Sequence, residues 1–261
     1  MREKNPVTYE LRDKVACLGL NRACKRNAVD TALLGAIDEG VARAQRDARA
    51  LVIFGHGPCF CAGLDLGQHR TRDAAEVFHH SRTWHAVFSR IRRGGVPTIA
   101  ALHGATVGGG MELAAACHIR VADRTAFFAL PEGTRGIYVG GGASVHVARL
   151  LGAARMADMM LTGRVLDALA AERAGLVQYL VDPGDAVAKA GELAAKVAGM
   201  APLTVLGVLQ ALPRIQDMSE DDGLFVESMM AALAQTAPEA AAQLTDFVAK
   251  RGATITSPSD N

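Results

Sequence analysis

The strongest constraint on how this chain folds is a change of pattern near Pro183. Before it, short apolar runs of strand length alternate with longer stretches of helical spacing; after it only helical spacing remains, punctuated by Pro202, Pro213 and Pro238. The apolar runs are residues 14–20 (KVACLGL), 50–54 (ALVIF), 97–103 (PTIAALH), 119–122 (IRVA), 126–130 (AFFAL) and 176–181 (LVQYLV), which gives six expected strands. Helices are expected over 30–46, opened by Asp30, over 71–92, opened by Thr71, and over 108–118, opened by Gly108, Gly109 and Gly110. This alternation of periods defines an α/β class. The tail carries apolar stripes such as Leu224, Phe225, Met229 and Leu233 with few aromatic anchors, so it is expected to bury them on the rest of the chain or on another subunit. The polar stretch 253–261 is expected to fray.

With 261 residues, the chain can form one sizeable domain with a smaller appended piece: an α/β core over 1–200 and a helical region over 201–261. Half of the residues are hydrophobic, 21% are charged and the net charge is +1, which excludes a disordered chain and gives no reason to expect a nucleic-acid partner. Five cysteines, an odd number, lie in apolar runs and are expected to be reduced thiols of a cytoplasmic protein rather than a disulfide framework. The charged N-terminus has no signal-peptide core, and no apolar run reaches the roughly 18 residues of a membrane span, so no membrane partner is expected.

Three segments could carry chemistry. In GPCFCAGLDL (residues 57–66) a strand runs into a turn where small Ala62 and Gly63 would let a ligand approach the backbone, leaving the N–H of Leu64 as a donor; taken alone, the segment is better explained as a plain strand-to-helix connection. In HGATVGGGMELAAA (from residue 103) three glycines open a small-residue helix. Glycines are costly to order, so they mark either tight packing or a need for exposed N–H groups, and a helix N-terminus suits a developing oxyanion. Phosphate is the rival ligand there, but neither nucleotide-binding fingerprint is met. The third is a pair of acids, Glu112 in the first turn of that helix and Glu132 after Pro131; each alone could be a helix-dipole partner or a solvated carboxylate. His79, His80 and His85 lack metal-ligand spacing, and His146 replaces the last glycine of a serine-hydrolase elbow at Ser144, so neither a metal site nor a serine hydrolase is expected.

Together these segments resemble the enoyl-CoA hydratase (crotonase) family over nearly the whole chain. LNRACKRNAVD (residues 20–30) resembles its L-N-R-P-x-x-x-N-A stretch, with Ala23 where proline is usual. GPCFCAGLDL is similar to F-x-A-G-x-D-L, and HGATVGGGMELAAACHIRVAD to N-G-x-A-x-G-G-G-x-E-L-A-x-x-C-D. FALPEGTRGIYVGGGASVHVARLLG is similar to the region that follows, with Val139 where proline is common. The resemblance implies a crotonase-like spiral of β-β-α units with a C-terminal helical oligomerisation layer, forming a homotrimer or a hexamer as a dimer of trimers. It implies hydration of a trans-2-enoyl-CoA through a thioester enolate, with coenzyme A as part of the substrate and no separate cofactor. Leu64 and Gly109 would be the oxyanion donors, Glu112 the base that activates water for attack at C3 and Glu132 the acid that protonates C2. Lys25, Arg26, Ala62, Gly63, Asp65, Leu66 and Gly108 would contact substrate or coenzyme A. An isomerase, a thioester hydrolase or a hydratase-lyase shares the scaffold, and from another class a binding protein, RNA-binding included, is the remaining reading. Residues 66–88 correspond to the family's variable pocket wall, where Trp84 and Phe88 line the pocket or belong to the core, with core favoured.

Overall fold

In the computed structural model, which describes residues 5–68 and 73–249, the chain forms two compact units, Met1–Ala198 and Gly199–Asn261. The expected helix start at Thr71 and the tail from 253 to 261 lie outside the described residues.

In the first unit the chain runs β1 (Val7–Arg12), β2 (Val15–Leu20), α1 (Thr31–Asp47), β3 (Ala50–Gly55), α2 (Ala74–Arg93), β4 (Thr98–Leu102), β5 (Ala105–Val107), α3 (Gly109–Ala116), β6 (Ile119–Asp123) and β7 (Phe127–Ala129). It continues through α4 (Ala143–Leu151), α5 (Ala153–Thr162), β8 (Leu166–Asp167), α6 (Ala168–Arg173), β9 (Tyr179–Val181) and α7 (Ala186–Ala198). Six strands form one sheet in the order β1-β2-β3-β4-β6-β9, antiparallel only at the β1–β2 edge. A three-stranded sheet, β5-β7-β8, stands apart.

β3 shows why its sequence reads as one apolar run. Leu51 and Ile53 belong to the core cluster that includes Leu33 and Ile37 of α1, while Val52 belongs to a second cluster with Ala190, Leu193 and Ala194 of α7. Successive side chains point to opposite faces, and here both faces are covered, so there is no polar alternation to read. The edge strand β1 was missed for the opposite reason. VTYELR is mostly exposed and polar, and its pairing with β2 comes from backbone hydrogen bonds rather than burial. β5 and β8 were also missed, being three and two residues long.

Asp30 caps α1 as expected, its carboxylate accepting from the Leu33 N–H at 2.8 Å. α2 begins later than expected. Asp73 accepts from the N–H of Glu76, and Glu76 accepts from the N–H of Asp73, a reciprocal capping box that fixes the start at Ala74.

The regular elements described in the second unit are all helical: α8 (Pro202–Leu206), a π-helical turn (Gly207–Ala211), α9 (Leu212–Ile215), α10 (Glu220–Gln235) and α11 (Pro238–Val248). The widened turn immediately precedes Pro213, which has no N–H to give to a regular helical ladder. Leu224, Phe225, Met229 and Leu233 of α10 are each more than half exposed.

Candidate active site

The site grows out of two chain crossings held by polar side chains. At the end of β2, Arg22 places Nη2 3.0 Å from Oδ2 of Asp65 and 3.2 Å from Oδ2 of Asp30, and its Nη1 donates to the carbonyl of Ala28. Asn27, fully buried with φ +54°, accepts from the Arg22 N–H at 2.9 Å and donates to the carbonyls of His56 (2.9 Å), Cys59 (2.9 Å) and Phe60 (3.1 Å). A short amide side chain tolerates that left-handed backbone and can satisfy several buried carbonyls at once. These contacts fix the segment that follows β3.

In that segment Leu64 forms an isolated parallel bridge with Val29. The Val29 N–H donates to Gly63 O at 2.7 Å and the Asp65 N–H to Val29 O at 2.9 Å, so the bridge engages the neighbours of Leu64. The N–H of Leu64 itself finds no acceptor among the described residues, nor does that of Gly109, the first residue of α3. The two lie close together: Leu64 N is 3.6 Å from where a Cβ on Gly109 would sit. Gly63, at φ +92°, permits this crossing, since a Cβ there would come within 2.7 Å of the Val107 carbonyl. Two unpaired backbone donors, one at a helix N-terminus, make a site for partial negative charge.

The carboxyls face the same space. Glu112 is 4% exposed, and its Oε1 accepts from the N–H groups of Gly141 (2.8 Å) and Ala143 (3.0 Å), in the glycine-rich loop that leads into α4. Burial pushes its carboxyl up to about 7 against the opposing pull of these donors, and the Glu132 carboxyl adds to the rise. Glu132 follows β7 and Pro131. Its carboxyl is also raised, mainly by burial, with Arg135 drawing it back. Oε2 of Glu132 is buried without a protein partner among the described residues, which leaves its hydrogen-bonding capacity to whatever occupies the cavity. Gly108 is the hinge between the acids. It sits at φ +53°, and a Cβ on it would lie 2.6 Å from Oε1 of Glu132.

Leu64, Leu66, Gly109, Glu112 and Glu132 thus line one cavity of about 760 Å³. The remaining expected contacts do not. Lys25 and Arg26 are exposed on the turn before Asn27, and Ala62, Gly63 and Gly108 shape the backbone behind the cavity. The Asp65 carboxylate is engaged by Arg22 and the Gly67 N–H, which pull it below its ordinary range despite burial and so position the loop that carries Leu64. Phe88 is core, whereas Trp84 is both core and wall: it is 4% exposed, lines the cavity, and leaves no room for a Cβ on Gly109, which would meet its ring at 2.7 Å. Val139, in the usual proline position, is buried in the main core cluster.

The sequence reading missed the Gly141 and Ala143 donors and the side chains of His80, Ser81, Ile137 and Tyr138, which also line the cavity. A signal existed for the donors. Gly140, Gly141 and Gly142 repeat, ahead of α4, the triple glycine that opens α3.

Backbone N–H groups without acceptors among the described residues and two carboxyls raised above their ordinary range line one cavity, an arrangement suited to acid–base chemistry on a group that gains negative charge. The Enoyl-CoA hydratase/isomerase family model matches residues 10–257, and the chain belongs to that family. A crystal structure of a provisionally named enoyl-CoA hydratase from Rhodopseudomonas palustris CGA009 is 49% identical with a TM-score of 0.91, covering 94% of this chain and 95% of that one. The 2,3-dehydroadipyl-CoA hydratase of Escherichia coli K12 is 32% identical over 91% of this chain and 93% of its own, and the short-chain-enoyl-CoA hydratase of Clostridium acetobutylicum is 31% identical over 95% and 97%. The fold is the crotonase fold.

Proposed function

We propose that the protein hydrates a trans-2-enoyl-CoA. The observation that carries this reading is the convergence of two buried carboxyls, Glu112 and Glu132, on a cavity shared with the acceptor-free N–H groups of Leu64 and Gly109. Glu112 takes a proton from water as its oxygen bonds to C3. The electron pair of the double bond moves into the thioester, whose oxygen becomes an enolate held by the Leu64 and Gly109 N–H groups. Glu132 then delivers its proton to C2, and a base poised near neutrality suits the first step. The enolate exists only after attack, so these donors act on the transition state rather than on bound substrate.

Lys25 and Arg26, exposed cations on the turn held by Asn27, meet the phosphates of coenzyme A in this reading, with no cofactor beyond the substrate. A homotrimer, alone or paired into a hexamer, would cover the apolar faces of α10 and α11, where Phe225, Leu233, Phe247 and Val248 are exposed. Sedimentation is expected to give a trimer or larger, and a monomer at micromolar concentration would sink the assembly. The unpaired cysteines, three of them buried, support a cytoplasmic setting.

The deciding experiment is turnover of enoyl-CoA substrates by Glu112→Gln and Glu132→Gln. Each keeps shape and is expected to lose about 10²- to 10⁴-fold in kcat with little change in KM. Full activity in Glu112→Gln would remove the water-activating role and leave a double-bond isomerase relying on Glu132.

A further inference from the structure

The loop that holds Glu112 is itself held from the far side. Ser81, on the cavity face of α2, donates its hydroxyl proton to the Gly140 carbonyl at 2.6 Å, and Nε2 of His85, one turn along the helix, lies 3.4 Å from the Ser81 hydroxyl oxygen. The direction is fixed because a carbonyl can only accept. The Gly140 C=O and the Gly141 N–H are two ends of one planar peptide group, and that N–H donates to Oε1 of Glu112 at 2.8 Å. A donor on the oxygen of a peptide draws charge from its nitrogen and strengthens the N–H as a donor, so the three groups form one polarised chain.

We infer that Ser81 is a positioning residue for the hydration step, acting through the single Gly140–Gly141 peptide to set the place and the hold of the Glu112 carboxylate. This rests on the role proposed for Glu112 and extends it to a side chain of α2, on the part of the chain expected to vary with substrate. Few other groups compete. Beyond burial, which dominates, Glu112 feels the backbone donors of Ala143, Gly141 and Gly142, and the one ionisable side chain acting on it is Glu132. His80 and His85 face Ser81 from its own helix, and the glycine loop opposite brings no charge within hydrogen-bonding distance of its hydroxyl.

Ser81→Ala removes the first donor of the chain and leaves the rest in place. The acid limb of kcat/KM is expected to move up by about 0.3–1 pH unit, because the ionised form of Glu112 loses part of its hydrogen-bond support. At neutral pH kcat should fall about two- to fivefold with KM within about twofold, and Ser81→Thr, which restores a hydroxyl, should return the limb to its original position. The same shift should appear without substrate in a carbon-13 NMR titration of the Glu112 carboxyl in the two proteins. That readout stands even if the protein fails to hydrate any enoyl-CoA, so failure of the proposed reaction and failure of this inference are separable. An unmoved Glu112 titration in Ser81→Ala would overturn the inference, as would a shift that Ser81→Thr does not reverse. Should the alanine variant not fold, Ser81→Cys, with its weaker donor, carries the same comparison.

Discussion

One wall of the cavity is made of backbone and the other of side chains. The backbone wall consists of Leu64 N–H, the start of α3 and the 140–143 loop, and it holds Glu112 in a position only 4% exposed, with two N–H groups on one oxygen. The opposite wall is made by Leu66, Val77, Ile137 and Tyr138, each between 46% and 71% exposed. The first wall tolerates almost no added atom, since Cβ groups at 108 and 109 would strike Glu132 and Trp84. The second can exchange side chains without moving the chain path. Geometry set by the main chain is therefore the part of the cavity least tolerant of change, and the exposed side chains the part most tolerant of it.

The largest break in this contrast is expected from Gly108→Ala. It combines a left-handed backbone with a collision at the Glu132 carboxyl and displaces the neighbouring Gly109 donor, so kcat should fall by about 10³-fold, comparable to loss of an oxyanion donor. Retention of more than a tenth of the activity would mean that the wall yields.

A pH profile tests the same wall electrically. Glu112 acts ionised and its carboxyl is raised to about 7, so kcat/KM should rise with pH through about 7 and fall roughly tenfold per unit below it. Stability should run the other way. Because the folded state binds a proton on Glu112 that the unfolded chain releases near its ordinary value of 4.5, stability falls as pH rises between about 4.5 and 7. Glu112→Gln removes that ionisation cost, which amounts to at most about 3 kcal/mol. Thermal melts at pH 8 should show the variant more stable than the parent, with the difference gone near pH 4. Equal melting at both would show that the site holds the charge without cost.

The smallest effect is expected on the side-chain wall. Tyr138→Ala should change kcat/KM by no more than about tenfold for any one substrate while altering the ranking of acyl chain lengths, because a side chain 71% exposed has little buried surface to lose. A uniform loss across chain lengths would place Tyr138 with the chemistry instead.

The legible parts of this protein were local. Asp30 announced the start of α1 because a capping carboxylate and its N–H lie three residues apart, and the triple glycine at 108–110 announced a helix start because glycines there leave the first backbone N–H groups uncovered by side chains. β1 was not legible, since an exposed edge strand needs its partner to exist at all. The Arg22–Asp65 pair was not legible either, because a carboxylate beside a ligand loop looks the same in sequence whether or not an arginine 43 residues away engages it.

By itself the sequence determined the alternation of strands and helices, the change to helices after Pro183, and the glycine-opened start of α3, all set by spacings of a few residues. It named Glu112 and Glu132 as acids but could not bring them together. Only the tertiary structure did that, by laying β5 beside β7 so that the Gly108 N–H bonds Ala129 O at 2.9 Å and the turn after each strand opens into the same cavity. It also decided their strength. A carboxyl leaves its ordinary range only when folding strips it of water and chooses which N–H groups replace that water, and those come from residues 141 and 143, about thirty positions along the chain.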